Sequence, residues 1–305
     1  MPDGPLDVAI TTVVGSRAIG PVVRTFFDDA TFTASHVVHD PATGAAAIID
    51  SVLGFDAASG RTCHGSADCI VEHVRSEGLR VEWLLETHVH ADHLTAAPYL
   101  RERLGGALGI GRAITTVQKA FGTIFNEGRR FARDGSQFDR LFDDGDRFAI
   151  GSIDAVVLGV PGHTPADVAF VVGDAAFVGD TLFMPDSGTA RADFPGGDPH
   201  SLFRSIRRLL SLPRETRLFL CHDYRGPGRE CFAWETTVGE QRDGNVHVHD
   251  GVTEEEFVAL RTRRDASLGM PRLMLPSIQV NMRAGGFPSP ERNGAVYLKL
   301  PVDRL

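Results

Sequence analysis

The feature that most constrains this chain is His88-Val89-His90-Ala91-Asp92-His93, which follows the apolar run Trp83-Leu84-Leu85 and Glu86-Thr87. Four ligand-type side chains arrive within six residues just as an apolar run ends. Side chains repeat every second residue in a strand, so His88 and His90 leave the strand end on one side. Asp92 and His93 follow where the chain is expected to turn into a helix over 94–104. Neutral imidazole and ionised carboxylate suit divalent transition metals such as zinc or iron. A polar surface turn needs no such density of donors.

The same arrangement recurs along the chain. Apolar strands are expected over 45–50, 79–86, 153–160, 175–178 and 216–220. Beyond the histidine cluster, they end in Asp50, in Pro161-Gly162-His163-Thr164, in Gly179-Asp180 and in Cys221-His222-Asp223. Asp50 has two readings, a strand-end cap and a partner of a metal ligand. Donors at strand ends on one sheet edge converge on one cleft. The donors suffice for two ions, with His88, His90 and His163 on one, Asp92, His93 and His222 on the other, and Asp180 between them.

Other elements follow from periodicity. A strand or hairpin is expected over 23–38 and a loop over 51–62. Helices are expected over 67–77, 115–125 and 199–212. Thr253-Glu254-Glu255-Glu256 is a capping box opening a helix through Ala266. Residues 270–276 read as irregular and 296–300 as a last strand. The expected organisation is an N-terminal arm over 1–22, one domain over 23–248, and a C-terminal extension over 249–305 packing on that domain.

The chain has 305 residues, enough for a substantial core, and a net charge of -9 that argues against a nucleic-acid surface. No apolar run reaches the ~20 residues of a membrane helix. No signal peptide is evident, and a cytoplasmic location is expected. Cys63, Cys69, Cys221 and Cys231 form no C-x-x-C pair and are expected to be reduced thiols.

The H-x-H-x-D-H cluster, followed by a later His, Asp and His, resembles the metallo-β-lactamase superfamily. That resemblance implies an α/β fold of the αββα sandwich type, with a metal site at one edge. A narrower likeness rests on Thr87 to His93, Pro161-Gly162-His163-Thr164, Gly179-Asp180, Ala190-Arg191-Ala192-Asp193-Phe194 and His222-Asp223-Tyr224-Arg225-Gly226. Thr237-Val238-Gly239-Glu240-Gln241-Arg242 and Asn281-Met282-Arg283 extend it. These segments are similar to the persulfide dioxygenases, which oxidise glutathione persulfide with O2 to sulfite and regenerate glutathione. Ala192 departs from the pattern, where Thr or Cys is more usual. The tail from Phe287 to Leu305 is similar to the bacterial, longer branch of that family. The chain is also similar to proteins named β-lactamase-like hydrolases.

This resemblance implies one Fe(II) per chain, held by His88, His163 and Asp180, with no further catalytic side chain. His90, Asp92, His93 and His222 then orient the ligands by hydrogen bonds, or hold a second metal. Arg191 and Arg225 are candidates for gripping a glutathione carboxylate, since guanidinium pairs bidentately with it. Tyr224 is a candidate donor nearby, and Asn281 and Arg283 complete the pocket if the C-terminal segment folds over the cleft. A homodimer is expected. The competing expectation is a hydrolase of the glyoxalase II type with two Zn(II) per chain. A third, of another class, is a metal-binding, sulfide-responsive partner without turnover.

Overall fold

The run Ala45-Ala46-Ala47-Ile48-Ile49 contains no polar residue because both faces of this strand are covered. Ala45, Ala47 and Ile49 point into a layer shared with Ala155, Val157, Phe170, Phe177 and Phe219. Ala46 and Ile48 point the other way, toward Ile70, Val74, Leu100 and Val117. The period of two along a strand makes this division.

The computed structural model describes residues 20–304. In chain order its first elements are β1 (Val22–Asp28), β2 (Thr33–His39), β3 (Ala45–Ile49), β4 (Val52–Asp56), β5 (Arg61–Cys63), α1 (Gly65–Ser76) and β6 (Arg80–Leu85). Then come β7 (Leu94–Thr95), α2 (Ala97–Leu104), β8 (Ala107–Gly111), α3 (Ile114–Ile124), β9 (Arg140–Phe142), β10 (Arg147–Ile150) and β11 (Ile153–Gly159). The last are β12 (Val168–Val172), β13 (Ala175–Phe177), α4 (Pro199–Leu209), β14 (Arg217–Phe219), β15 (Glu235–Thr237), α5 (Val238–Gly244), α6 (Glu254–Asp265) and α7 (Met274–Asn281).

Two six-stranded sheets, ordered β1-β2-β3-β6-β8-β9 and β10-β11-β12-β13-β14-β15, pack face to face through the inner layer. Helices α1, α2 and α3 bury their apolar faces on the first sheet, while α4 and α6 cover the second. This is the αββα sandwich. Parallel pairing then fixes the site. Ile49 of β3 lies opposite Leu85 of β6, so Asp50 and Thr87 leave one edge together. Phe177 of β13 lies opposite Phe219 of β14, which brings the segments carrying Asp180 and His222 out side by side.

Several expectations differ from the structure. Residues 51–62, read as a loop, contain β4 and most of β5, and β4 pairs with both β5 and β7. Gly54 and the polar tip 56–60 interrupt the alternation that would have revealed them. The helix expected from residue 94 starts at Ala97, because Leu94 and Thr95 pair with Leu53 and Val52. The segment read as irregular over 270–276 enters α7, with Pro276 in the first turn, where its missing N–H costs nothing. No strand forms over 296–300; the Lys299 N–H donates instead to the Gln279 side chain. The expected arm over 1–22 lies outside the described residues up to residue 19, and Val22 already pairs in β1. No helix among the described residues is long and apolar enough to cross a membrane.

The inner layer also holds a histidine. His36 of β2 packs against both Phe177 and Phe219, and its Nε2–H donates to the Leu220 carbonyl at 3.1 Å. Its Nδ1 accepts from the Thr25 hydroxyl at 2.9 Å. Burial pushes its pKa down from 6.5 to about 4. The unfolded chain therefore binds a proton at His36 that the folded chain refuses, and stability falls as pH drops from 6.5 toward 4. Replacing His36 with Asn should remove up to about 1.4 kcal/mol per pH unit of that slope, read by urea unfolding between pH 4 and 6. An unchanged slope would mean His36 is charged in the fold. Phe170, fully buried between the sheets, should cost about 3–5 kcal/mol when truncated to Ala, measured as a fall in the urea midpoint at constant m-value.

Candidate metal centre

The centre starts from Asp50, just past β3, whose backbone turns through φ +52°. That corner points a buried carboxylate at the end of β6. Its Oδ1 accepts from the Thr87 N–H at 2.8 Å and from His90 Nε2 at 2.9 Å. Its Oδ2 accepts from the Thr87 hydroxyl at 2.8 Å. Burial works against this charge, yet His90 and the two Thr87 donors hold the Asp50 carboxyl below its usual range. The Thr87 oxygen, having donated to Asp50, accepts from His88 Nδ1 at 3.0 Å.

Each remaining imidazole is fixed at Nδ1 in the same manner. His163 Nδ1–H donates to the Arg191 carbonyl at 2.8 Å, and His222 Nδ1–H donates to the Phe32 carbonyl at 3.0 Å. His93 Nδ1 lies 3.1 Å from Asp92 Oδ2. A bond at one ring nitrogen selects the tautomer and aims the other. Burial, with the imidazoles of His90 and His163 close by, holds His88 well below the usual histidine range, so its Nε2 keeps a lone pair.

The free atoms gather at one place. His88 Nε2, His90 Nδ1, His93 Nε2, His222 Nε2 and Asp180 Oδ1 are buried and have no hydrogen-bond partner among the described residues. Buried polar atoms are rarely left this way, and five together fit a divalent cation that accepts their lone pairs. The donors form overlapping groups, His88 with His163 and Asp180, His90 with Asp92, His93 and His222, Asp180 with Cys221 and His222, and Asp50 with His90 and Cys221. Within the first, Asp180 Oδ2 is 3.9 Å from His88 Nε2 and 3.5 Å from His163 Nε2. His222 Nε2 joins the groups, 3.3 Å from both Asp92 Oδ2 and Asp180 Oδ1. Backbone space is tight here. At Gly179, φ is +54° and a Cβ would sit 2.6 Å from the Thr87 hydroxyl oxygen. At Gly162 a Cβ would meet the Leu202 backbone at 2.3 Å.

A cavity of about 920 Å³ opens on Asp92, His163 and Asp180. Arg191, Tyr224 and Arg225 all line it. Tyr224 stacks on His222, with ring centroids 5.7 Å apart. The Arg191 guanidinium is already engaged, bidentate to Asp193 at 2.5 and 2.7 Å and bonded to the Gly269 carbonyl at 2.7 Å. Asn281 and Arg283, expected in the pocket, do not line it. Asn281 bonds to backbone groups of the ligand turn, and Arg283 pairs with Glu127 at 2.6 Å over the Phe131 ring. The extension does reach the cleft, but through other residues.

Sequence reasoning missed Arg264, Arg272 and His247, which line the cavity from the extension and the segment before it. Nothing local in those stretches signals a site. Glu86 was also missed. It is buried, accepts from the Thr95 hydroxyl and lies 3.4 Å from His90 Nε2. An acid two residues before His88 was a readable signal.

Known proteins bear on this geometry. Residues 29–222 match the family model described as "Metallo-beta-lactamase superfamily". A "Probable metallo-hydrolase" of Burkholderia pseudomallei is 57% identical, over 93% of this chain and 99% of its own. "Glyoxylase B2" of Dictyostelium discoideum is 46% identical, over 90% and 94%. "Persulfide dioxygenase ETHE1, mitochondrial" of Homo sapiens is 28% identical, over 87% and 89%. The crystal structure of ETHE1 from Myxococcus xanthus superimposes with a TM-score of 0.69 at 28% identity, over 87% of this chain and 100% of that one. With the paired sheets, the strand-end donors and the family match in agreement, the chain belongs to the metallo-β-lactamase superfamily.

Proposed function

We propose that this chain is a persulfide dioxygenase, oxidising glutathione persulfide or a similar thiol persulfide at one Fe(II) held by His88, His163 and Asp180. The observation that carries this reading is that ligand atoms of these three donors lie within 4.8 Å of one another, beside a cavity that His163 and Asp180 line. Two imidazoles and one carboxylate leave coordination positions open for substrate, as non-haem Fe(II) oxygenases require. The likeness to the ETHE1 proteins supports the same reading. The reaction balances as persulfide, O2 and water giving thiol, sulfite and two protons; the outer sulfur loses four electrons and dioxygen gains them. Bound iron supplies the electron transfer to dioxygen that protein side chains lack.

The chain's own residues supply position. Arg264 and Arg272 line the cavity and make no ion pair among the described residues. In a chain of net charge -9, free guanidinium groups facing a cleft favour an anionic substrate such as a thiol carrying carboxylates. Phe183, Tyr224 and Leu268 give the cavity apolar wall.

A second reading rests on a specific observation. His90 Nδ1, His93 Nε2 and His222 Nε2 are unpartnered as well. Two zinc ions there would generate a hydroxide and make a thioester hydrolase of the glyoxalase II type. The Glyoxylase B2 relative supports it.

Metal content and oxygen uptake separate the two. Freshly purified protein should hold about one iron per chain and consume one O2 per sulfite formed from glutathione persulfide. Two zincs per chain, with no oxygen uptake by iron-loaded protein, would establish the hydrolase instead. His88→Ala and Asp180→Ala should each lose iron; full iron and full oxygen uptake in either would refute the ligand assignment. Arg264→Ala and Arg272→Ala should each raise KM about tenfold, the loss of roughly 1.4 kcal/mol of binding, with kcat little changed. If KM stays put in both, the substrate's charge is bound elsewhere.

A further inference from the structure

Asn281 closes α7 and lies 188 residues beyond His93 in sequence, yet it touches the ligand turn directly. Its Nδ2 donates to the His90 carbonyl at 2.9 Å and to the His93 carbonyl at 2.8 Å. Its Oδ1 accepts from the Thr95 N–H at 2.9 Å. The side chain is buried, and every one of these bonds goes to backbone between residues 90 and 95. Otherwise the turn is held by side chains, through the His90–Asp50 and His93–Asp92 contacts and the burial of Val89 and Ala91. Among the described residues, no backbone-to-backbone hydrogen bond involves residues 88–93. The carbonyls of His90 and His93, on either side of Asp92, therefore depend on one amide. That amide is itself firmly placed. Ile278, Val280 and Met282 are buried in the same core as Leu94 and Leu100, and Gln118 Nε2 donates to the Met282 carbonyl at 2.9 Å.

We propose that Asn281 is a positioning residue for the metal centre. Its bonds to the two carbonyls fix the backbone from which the His90 and His93 imidazoles and the Asp92 carboxylate project. The inference rests on the metal-centre reading with His90, Asp92 and His93 among the donors to Zn(II), the ion used as probe. Partners that orient ligands in this way typically contribute 10–100-fold to metal affinity, roughly the scale expected here.

The test compares two isosteric changes on one helix. Asn281→Asp keeps the acceptor for Thr95 but loses both donated bonds and sets a carboxylate against two carbonyl oxygens. Gln279→Glu removes a buried amide of the same helix that donates to the Leu275 and Lys299 carbonyls, away from the ligands. Both should lower the unfolding midpoint. Zn(II) affinity is then measured by competition with a chelator, at a temperature where circular dichroism shows each variant folded. Asn281→Asp should bind Zn(II) about 10–100-fold more weakly, with an altered Co(II) absorption spectrum. Gln279→Glu should stay within about threefold of wild type on the same scale. Wild-type affinity in Asn281→Asp, or an equal loss in Gln279→Glu, overturns the proposal. If Asn281→Asp does not fold, Asn281→Ala carries the same expectation without the added charge. Because the probe is the metal alone, a failure of oxygen uptake with persulfide leaves this result standing, and the reverse.

Discussion

The buried carboxylate of Asp50 is the interaction on which the centre depends. It draws in one backbone N–H, one hydroxyl and one imidazole, all from the turn that ends β6. A carboxylate in such a place is tolerable only when its lone pairs are filled, and three donors within 2.9 Å fill them. The Thr87 hydroxyl then passes the polarity on to His88, so one charge orients two imidazoles of the cluster. The same hydroxyl lies where a Cβ at residue 179 would fall. The corner before Asp180 is thus closed to any larger residue, and at the centre the two sheets meet across this one oxygen atom.

Sheet topology makes that keying possible. In each half a parallel pair delivers its loops to the same edge: β3 with β6, and β13 with β14. Antiparallel neighbours would have sent Asp50 and Thr87 to opposite edges. The apolar runs that precede every ligand are therefore more than core. They set the height at which each donor leaves the sandwich. His36 and the Phe177–Phe219 stack lie just beneath, and the bond from His36 to the Leu220 carbonyl ties β2 to the segment that carries His222.

How much of this was legible follows from how local each signal is. The donors could be read because each sits in a short string whose chemistry is odd for its place: charge after an apolar run, or a histidine after Pro-Gly. Asp50 was readable by the same rule, though only the fold showed which ligand it meets. Arg191 illustrates the opposite. Its partner Asp193 is two residues away, so the pair was visible in the string Arg191-Ala192-Asp193, yet the motif drew attention to the arginine alone. Arg264 and Arg272 had no local signal, and the motif that marked Asn281 pointed to the pocket rather than to the backbone of the ligand turn. Their roles depend on where α6 and α7 dock, which is set by burial of Phe257 against one sheet's helices and of Ile278 in the other core. A capping box locates the start of a helix but not the surface it will cover.

The extension therefore meets the centre from two directions. Helix α6 belongs to the second half of the sandwich and brings Arg264 to the cavity, while α7 belongs to the first half and brings Asn281 to the ligand turn. Leu268, Gly269, Pro271, Arg272 and Leu273, between them, form cavity wall. A segment anchored on both halves resists their separation, and the free energy of its docking is shared with the centre. Any cation that binds the ordered turn more tightly than the loosened one must stabilise α7 in place. The reciprocal holds with the same magnitude: docking of α7 raises affinity for the cation by the factor that the cation raises docking. The carbonyls of His90 and His93 are where that exchange occurs, since they are the groups that lose their partner when α7 lifts away.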